Sequence, residues 1–113
     1  METLSPYSYP GIRPEDRPMT GLRWCDIERA VYTEFGLPRE EVFRRARYRY
    51  PVVARQFIFY LIIRYKKATV GQVEKEYGYD HSTIKRGIQH VEDLFQDKFY
   101  MPKFCNILNE LSL

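Results

Sequence analysis

Asp80, His81 and Ser82 stand in a row: an acid, an imidazole and a hydroxyl, the side-chain types of an acyl-transfer relay. Their spacing argues against that chemistry. Consecutive residues of a helix point about 100° apart, so the three cannot line up as nucleophile, base and orienter. A metal site fares no better. His81 and His90 are nine positions apart, roughly 180° around one helix, and neither Cys25 nor Cys105 stands at ligand spacing to a histidine. No Gly-x-x-x-x-Gly-Lys-Ser/Thr loop is present to cradle a nucleotide. The expectation is a non-enzymatic chain that needs no metal or other cofactor.

The same residues make better sense as a binding surface. Gly78-Tyr79-Asp80-His81-Ser82-Thr83-Ile84-Lys85-Arg86 follows a helical segment over Thr69–Tyr77. A short helix, a turn of about three residues and a second helix opening in small polar residues form a helix-turn-helix pattern. The first turn of such a second helix reaches base edges in a major groove. There a carboxylate accepts from cytosine, an imidazole donates to purine acceptors, and Ser or Thr hydrogen-bonds or packs on a thymine methyl. Lys85, Arg86 and Gln89 lie further along the exposed face, within reach of bases or flanking phosphates. A plainer reading stays open, with Asp80 as a helix N-cap and His81 and Ser82 as an ordinary polar first turn. Upstream, Arg44–Tyr50 reads as a basic loop in which Arg47-Tyr48-Arg49-Tyr50 alternate. A basic arm beside a helix-turn-helix enters an adjacent minor groove; alternatively, these arginines complement a helix dipole.

The elements that must hold these residues follow from the apolar pattern. The chain has 113 residues, 44% hydrophobic and 29% charged, which suits one globular domain with a modest core. Residues 1–21 hold four of the seven prolines (Pro6, Pro10, Pro14 and Pro18) with no apolar period, and are expected to form an extended arm. Its Tyr7, Tyr9 and Ile12 are available to a protein partner. The domain proper is expected over residues 22–113. Ile27, Ala30, Val31 and Phe35 share a helical face that stops at Gly36. Pro38 opens a short helix to about Arg45, with Val42 and Phe43 inward. A third helix runs from about Pro51 to Tyr65, and its apolar run Phe57–Ile63 marks it as the central one. Thr69 and Gln72 have capping-box spacing, with Val70, Val73 and Tyr77 inward. Ile84, Ile88, Val91 and Phe95 then fall on one side of the next helix, leaving Ser82, Lys85, Arg86 and Gln89 on the other. A last helix spans about Pro102–Leu111. The fold expected is all-α, a small domain of five to six helices.

Charge is unevenly distributed. Between Pro38 and His90 twelve Lys or Arg stand against five Asp or Glu, a net of +7, while the remainder nets −4. One positive face is the expectation, as phosphate binding requires; a solvated helical surface is the alternative. No apolar run approaches the roughly 18 residues of a membrane span, and no secretory signal is legible at the N-terminus. Two cysteines without partner spacing are expected to be reduced thiols in a cytoplasmic protein.

Val53-Ala54-Arg55-Gln56 at the opening of the central helix, the short capped helix, and Asp80-His81-Ser82-Thr83-Ile84 together resemble the C-terminal DNA-binding domain of the bacterial replication initiator DnaA. The spacing agrees over roughly residues 27–95. The resemblance implies double-stranded DNA as the partner, with Arg47 in the minor groove, Arg49 nearby, and Asp80, His81 and Ser82 reading bases in the major groove. It also puts Arg55, Thr83 and Lys85 at or near base or backbone contacts. Three departures accompany it. The turn before Asp80 is about one residue shorter, and Tyr79 stands where an Arg is usual. Tyr48 and Tyr50 replace small or polar loop residues. No ATPase domain precedes the module in this chain, so ATP-driven assembly is not expected of it alone. The implied role is sequence-preferring DNA binding in replication or transcription control of a bacterium or mobile element. The alternative is a protein-interaction adaptor that keeps the fold without DNA, using its tyrosines as contacts; RNA binding suits the motif less.

Overall fold

A computed structural model describes residues 23–44 and 48–112, and over them the chain runs as six α-helices: α1 (Trp24–Phe35), α2 (Arg39–Val42), α3 (Arg49–Tyr65), α4 (Val70–Tyr77), α5 (His81–Asp93) and α6 (Tyr100–Glu110). A 3-10 turn, Leu94–Gln96, extends α5. There is no strand among the described residues, and no helix is long and apolar enough to cross a membrane. The expected all-α fold is the observed one.

Local signals set most of the boundaries. Gly36 ends α1 and Gly78 ends α4, each in the left-handed region (φ 66° and 77°) that a side chain would strain. Thr69 and Gln72 close a reciprocal capping box at α4: the Gln72 N–H donates to Thr69 Oγ1 at 3.1 Å, and the Thr69 N–H donates to Gln72 Oε1 at 2.9 Å. Two helices begin two residues before the proline read as their start. Pro51 and Pro102 are each the third residue of their helix, inside the first turn, where no N–H has an intrahelical partner to lose. Arg49 and Tyr50 therefore belong to α3 and not to the basic loop, which correspondingly shortens. Helix α2 stops at Val42, short of the expected Arg45.

Helix α3 is the hub. Val53, Ala54, Phe57, Ile58, Leu61 and Ile62 are at most 1% exposed, with α1 against one side and α5 against another. The α3–α5 crossing is close at Gly87, where a Cβ would stand 3.0 Å from Gln56 Cγ. Beside it Gln56 Oε1 and His90 Nδ1 are 2.7 Å apart, and an Arg64–Glu92 ion pair ties the same two helices further along. Rings fill the far end: Phe104 of α6 lies 5.2–5.7 Å from Phe57, Tyr60 and Phe95 between centroids.

A second, polar centre joins the helix-turn-helix to the rest. The carboxylate of Glu28, buried in α1, accepts from Tyr32 Oη at 3.0 Å, from Tyr77 Oη of α4 and from an Arg39 Nη of α2. Tyr77 stacks between Trp24 and Phe43, with planes 10° apart in both pairs. Burial, and then the Glu28 carboxylate, pushes the Tyr77 and Tyr32 hydroxyls above the ordinary tyrosine range. One acid thus fixes three helices at once.

Candidate nucleic-acid interface

Helix α5 presents two unlike sides. Ile84, Gly87 and Val91 are buried and Ile88 half-buried, whereas His81, Ser82, Thr83, Lys85, Arg86 and Gln89 are exposed. The turn before it, Gly78-Tyr79-Asp80, has the three residues expected of a helix-turn-helix, and α4 packs directly on α5. A helix held by one face and capped at its start needs no further support to hold its outer face in solvent.

Asp80 is the N-cap. Its Oδ1 accepts from the Thr83 N–H at 3.2 Å, and the Thr83 hydroxyl, that N–H and the nearby Arg86 cation hold its carboxyl below the usual range. The capping role left open by the sequence is thus the one the geometry displays, and Thr83 is engaged with it. His81 follows at the first helical position, with Nδ1 3.4 Å from Glu74 Oε2 of α4 and its side chain 60% exposed. Ser82 is exposed, and its carbonyl accepts from Arg86 Nε at 3.5 Å. Gln89 donates to Asp93 Oδ1 at 3.3 Å, on the outer arc with Lys85. Ser82, Lys85, Arg86 and Gln89 stand three and four residues apart, which places them on one stripe of helix surface.

The upstream basic segment is split by the fold. Arg47 lies outside the described residues. Arg49 is exposed in the first turn of α3, with its guanidinium over the Tyr100 ring at 5.6 Å. Beside it Tyr48 is 71% and Phe99 57% exposed. Arg55 requires a correction. It is 8% exposed, facing inward from the second turn of α3, where Nη1 donates to the carbonyls of Val42 at 3.0 Å and Arg44 at 3.1 Å. Its guanidinium is committed to backbone and is not presented to a ligand.

Two placements here were not legible in the sequence. Tyr79, in the turn, is 7% exposed and lies under Arg55; a turn residue belongs to no helical period, so its burial left no pattern. Glu74 has no sequence signal that ties it to His81; their approach at 3.4 Å follows from how α4 packs on α5. Among the described residues no group of three or more His, Cys, Asp or Glu side chains is placed to hold a metal. Neither a family model, nor a curated protein, nor a solved structure matches the chain.

Proposed function

We propose that this chain is a sequence-preferring double-stranded DNA binder, which lays the first turn of α5 in a major groove and the basic segment before α3 in the adjacent minor groove. The observation that carries the proposal is the outer stripe of α5: His81, Ser82, Lys85, Arg86 and Gln89 are exposed on a helix whose other side is buried. The mixture is what base and phosphate contacts require, with an imidazole, a hydroxyl and an amide for base edges and two cations for phosphates. The net +7 between Pro38 and His90 supplies the sequence-independent attraction. Asp80 and Thr83 contribute by fixing the start of the helix and Arg49 by its exposed charge in the first turn of α3; Arg47 is assigned to the minor groove by the motif likeness alone. The motif likeness to the DnaA C-terminal domain gives the same docking mode, and with it a role in replication or transcription control in bacterial cytoplasm or in a mobile element.

Selection of bound sequences from a random duplex library at two salt concentrations tests this. The expected result is an enriched motif and an affinity whose logarithm falls linearly with the logarithm of salt. Retention of duplex without enrichment would defeat sequence reading, and no retention at low salt would defeat DNA binding altogether. A second reading, a protein-interaction adaptor, draws support from the exposed Tyr48 and Phe99, aromatic side chains of the kind that anchor interfaces. It is favoured if a partner is captured undiminished by charge reversal at Arg47 and Arg49 while no duplex is shifted.

A further inference from the structure

Arg55 is the buried cation among the described residues, and its partners there join two separate parts of the proposed interface. Nη1 donates to the Val42 and Arg44 carbonyls at 3.0 and 3.1 Å. Between those two, the Phe43 carbonyl accepts from the Tyr79 hydroxyl at 3.3 Å. The Arg55 guanidinium carbon lies 4.9 Å from the centre of the Tyr79 ring. Three consecutive carbonyls leading from α2 into the basic loop are therefore held by two side chains, one from α3 and one from the turn between α4 and α5. The Tyr79 ring is itself fixed edge-on against Phe59 of α3 at 5.6 Å.

Among the described residues no carboxylate forms an ion pair with Arg55. A buried cation ordinarily needs such a partner; here carbonyl dipoles and an aromatic face take that place. This solution depends on backbone position in a way that an apolar filling would not. If the Val42–Arg44 strand of chain drifts from the turn, the guanidinium loses its hydrogen bonds while still buried. Lysine is a poor substitute: its ammonium can donate to both carbonyls, but it has no planar face to lay on the Tyr79 ring, and as a compact, strongly hydrated charge it costs more to bury.

We infer that Arg55 and Tyr79 form a positioning clamp that holds the entry of the basic loop against the helix-turn-helix turn, so that loop and α5 meet a duplex at one set spacing. The consequence for binding rests on the DNA reading above; the clamp itself does not. A preset spacing removes an ordering cost from the bound state of the preferred duplex, and leaves the nonspecific attraction of the same charges almost unchanged.

The test uses the full chain in four forms: wild type, Arg55→Lys, Arg55→Met and Tyr79→Phe, each checked for an unchanged helical circular dichroism spectrum. Limited trypsinolysis reads the clamp without DNA. Cleavage after Arg44 and Arg45 is expected to accelerate about tenfold in Arg55→Met, with cleavage elsewhere little changed, because local opening sets the rate. Tyr79→Phe, which keeps the ring, is expected to stay within about threefold of wild type. Binding is then measured on a duplex selected from a random library and on its shuffled counterpart. Arg55→Met is expected to lose about tenfold or more on the selected duplex and less than about threefold on the shuffled one. Unchanged loop cleavage in Arg55→Met overturns the clamp, and equal losses on both duplexes overturn its role in spacing. If wild type binds no duplex, the DNA reading fails and the cleavage rates alone decide the clamp. Should Arg55→Met not fold, Arg55→Lys carries the same comparison, and wild-type cleavage in that variant overturns the clamp.

Discussion

Helices α3 and α5 cross at Gly87 and share a core, yet they spend their side chains in opposite ways. Helix α3 has ten of its 17 residues buried, including its arginine at position 55. Helix α5 buries three of 13 and turns the rest, or most of it, outward. A helix enclosed on nearly every side can fix a frame but cannot touch a large partner. A helix held along one narrow stripe has little to add to stability and much surface to offer. The comparison separates frame from readout, and it can be broken at either helix.

The largest effect is expected at the frame. Phe57, 1% exposed, touches rings from α1 and α6, and Phe57→Ala is expected to cost about 3–5 kcal/mol of stability, measured by urea denaturation. A loss under about 1 kcal/mol would mean that α3 is not the hub.

The Glu28 centre should come next. Tyr77→Phe removes one donor from a buried carboxylate and is expected to cost about 1.5–3 kcal/mol at neutral pH. The Tyr77 hydroxyl is raised by burial, then by its bond to Glu28. A group raised on folding contributes stability that is complete below its unfolded value, about 10, and is lost as pH climbs from there toward the folded value. Wild type should therefore lose stability above about pH 10 more steeply than Tyr77→Phe, and parallel alkaline curves would count against the network.

A smaller effect is expected at the cap. Asp80 is lowered on folding, chiefly by the Thr83 hydroxyl and N–H, so its contribution is complete above the ordinary carboxylate value and is lost as pH falls through the folded one. Asp80→Ala should lower the melting temperature at pH 7. Asp80→Asn, still able to accept at an N-cap, should hold the neutral value and remove part of the decline below about pH 4. If Asp80→Asn behaves as Asp80→Ala, the charge is more important than the cap geometry.

At the readout surface stability should scarcely move. Lys85→Ala is expected to stay within about 0.5 kcal/mol of wild type in folding, while weakening every duplex alike and reducing the salt slope by about one. A sequence-dependent loss would transfer Lys85 from phosphate to base contact.

What was legible in the sequence was what a few neighbouring residues decide. Thr69 with Gln72, Asp80 with Thr83, and the glycines at 36 and 78 each act within one turn of chain, and each stands where its residue type implied. The two faces of α5 were legible too, because a helix translates spacing directly into direction. Contacts made across the fold were hidden. Tyr77 finds Glu28 at a separation of 49 residues, and the exchange by which Arg55 leaves the surface for Tyr79 and the loop carbonyls depends on where α2 ends relative to the turn. A basic residue beside a nucleic-acid motif reads as a contact until packing shows what encloses it.

The central claim concerns the first turn of α5, and His81 tests it most directly. The affinities of wild type and His81→Ala are to be compared on a duplex selected by the wild-type chain and on its shuffled counterpart, at one salt concentration. The account predicts that His81→Ala erodes the ratio of the two by about 1–3 kcal/mol with shuffled-duplex affinity nearly intact. Equal losses on both duplexes, or an unchanged ratio, would contradict it.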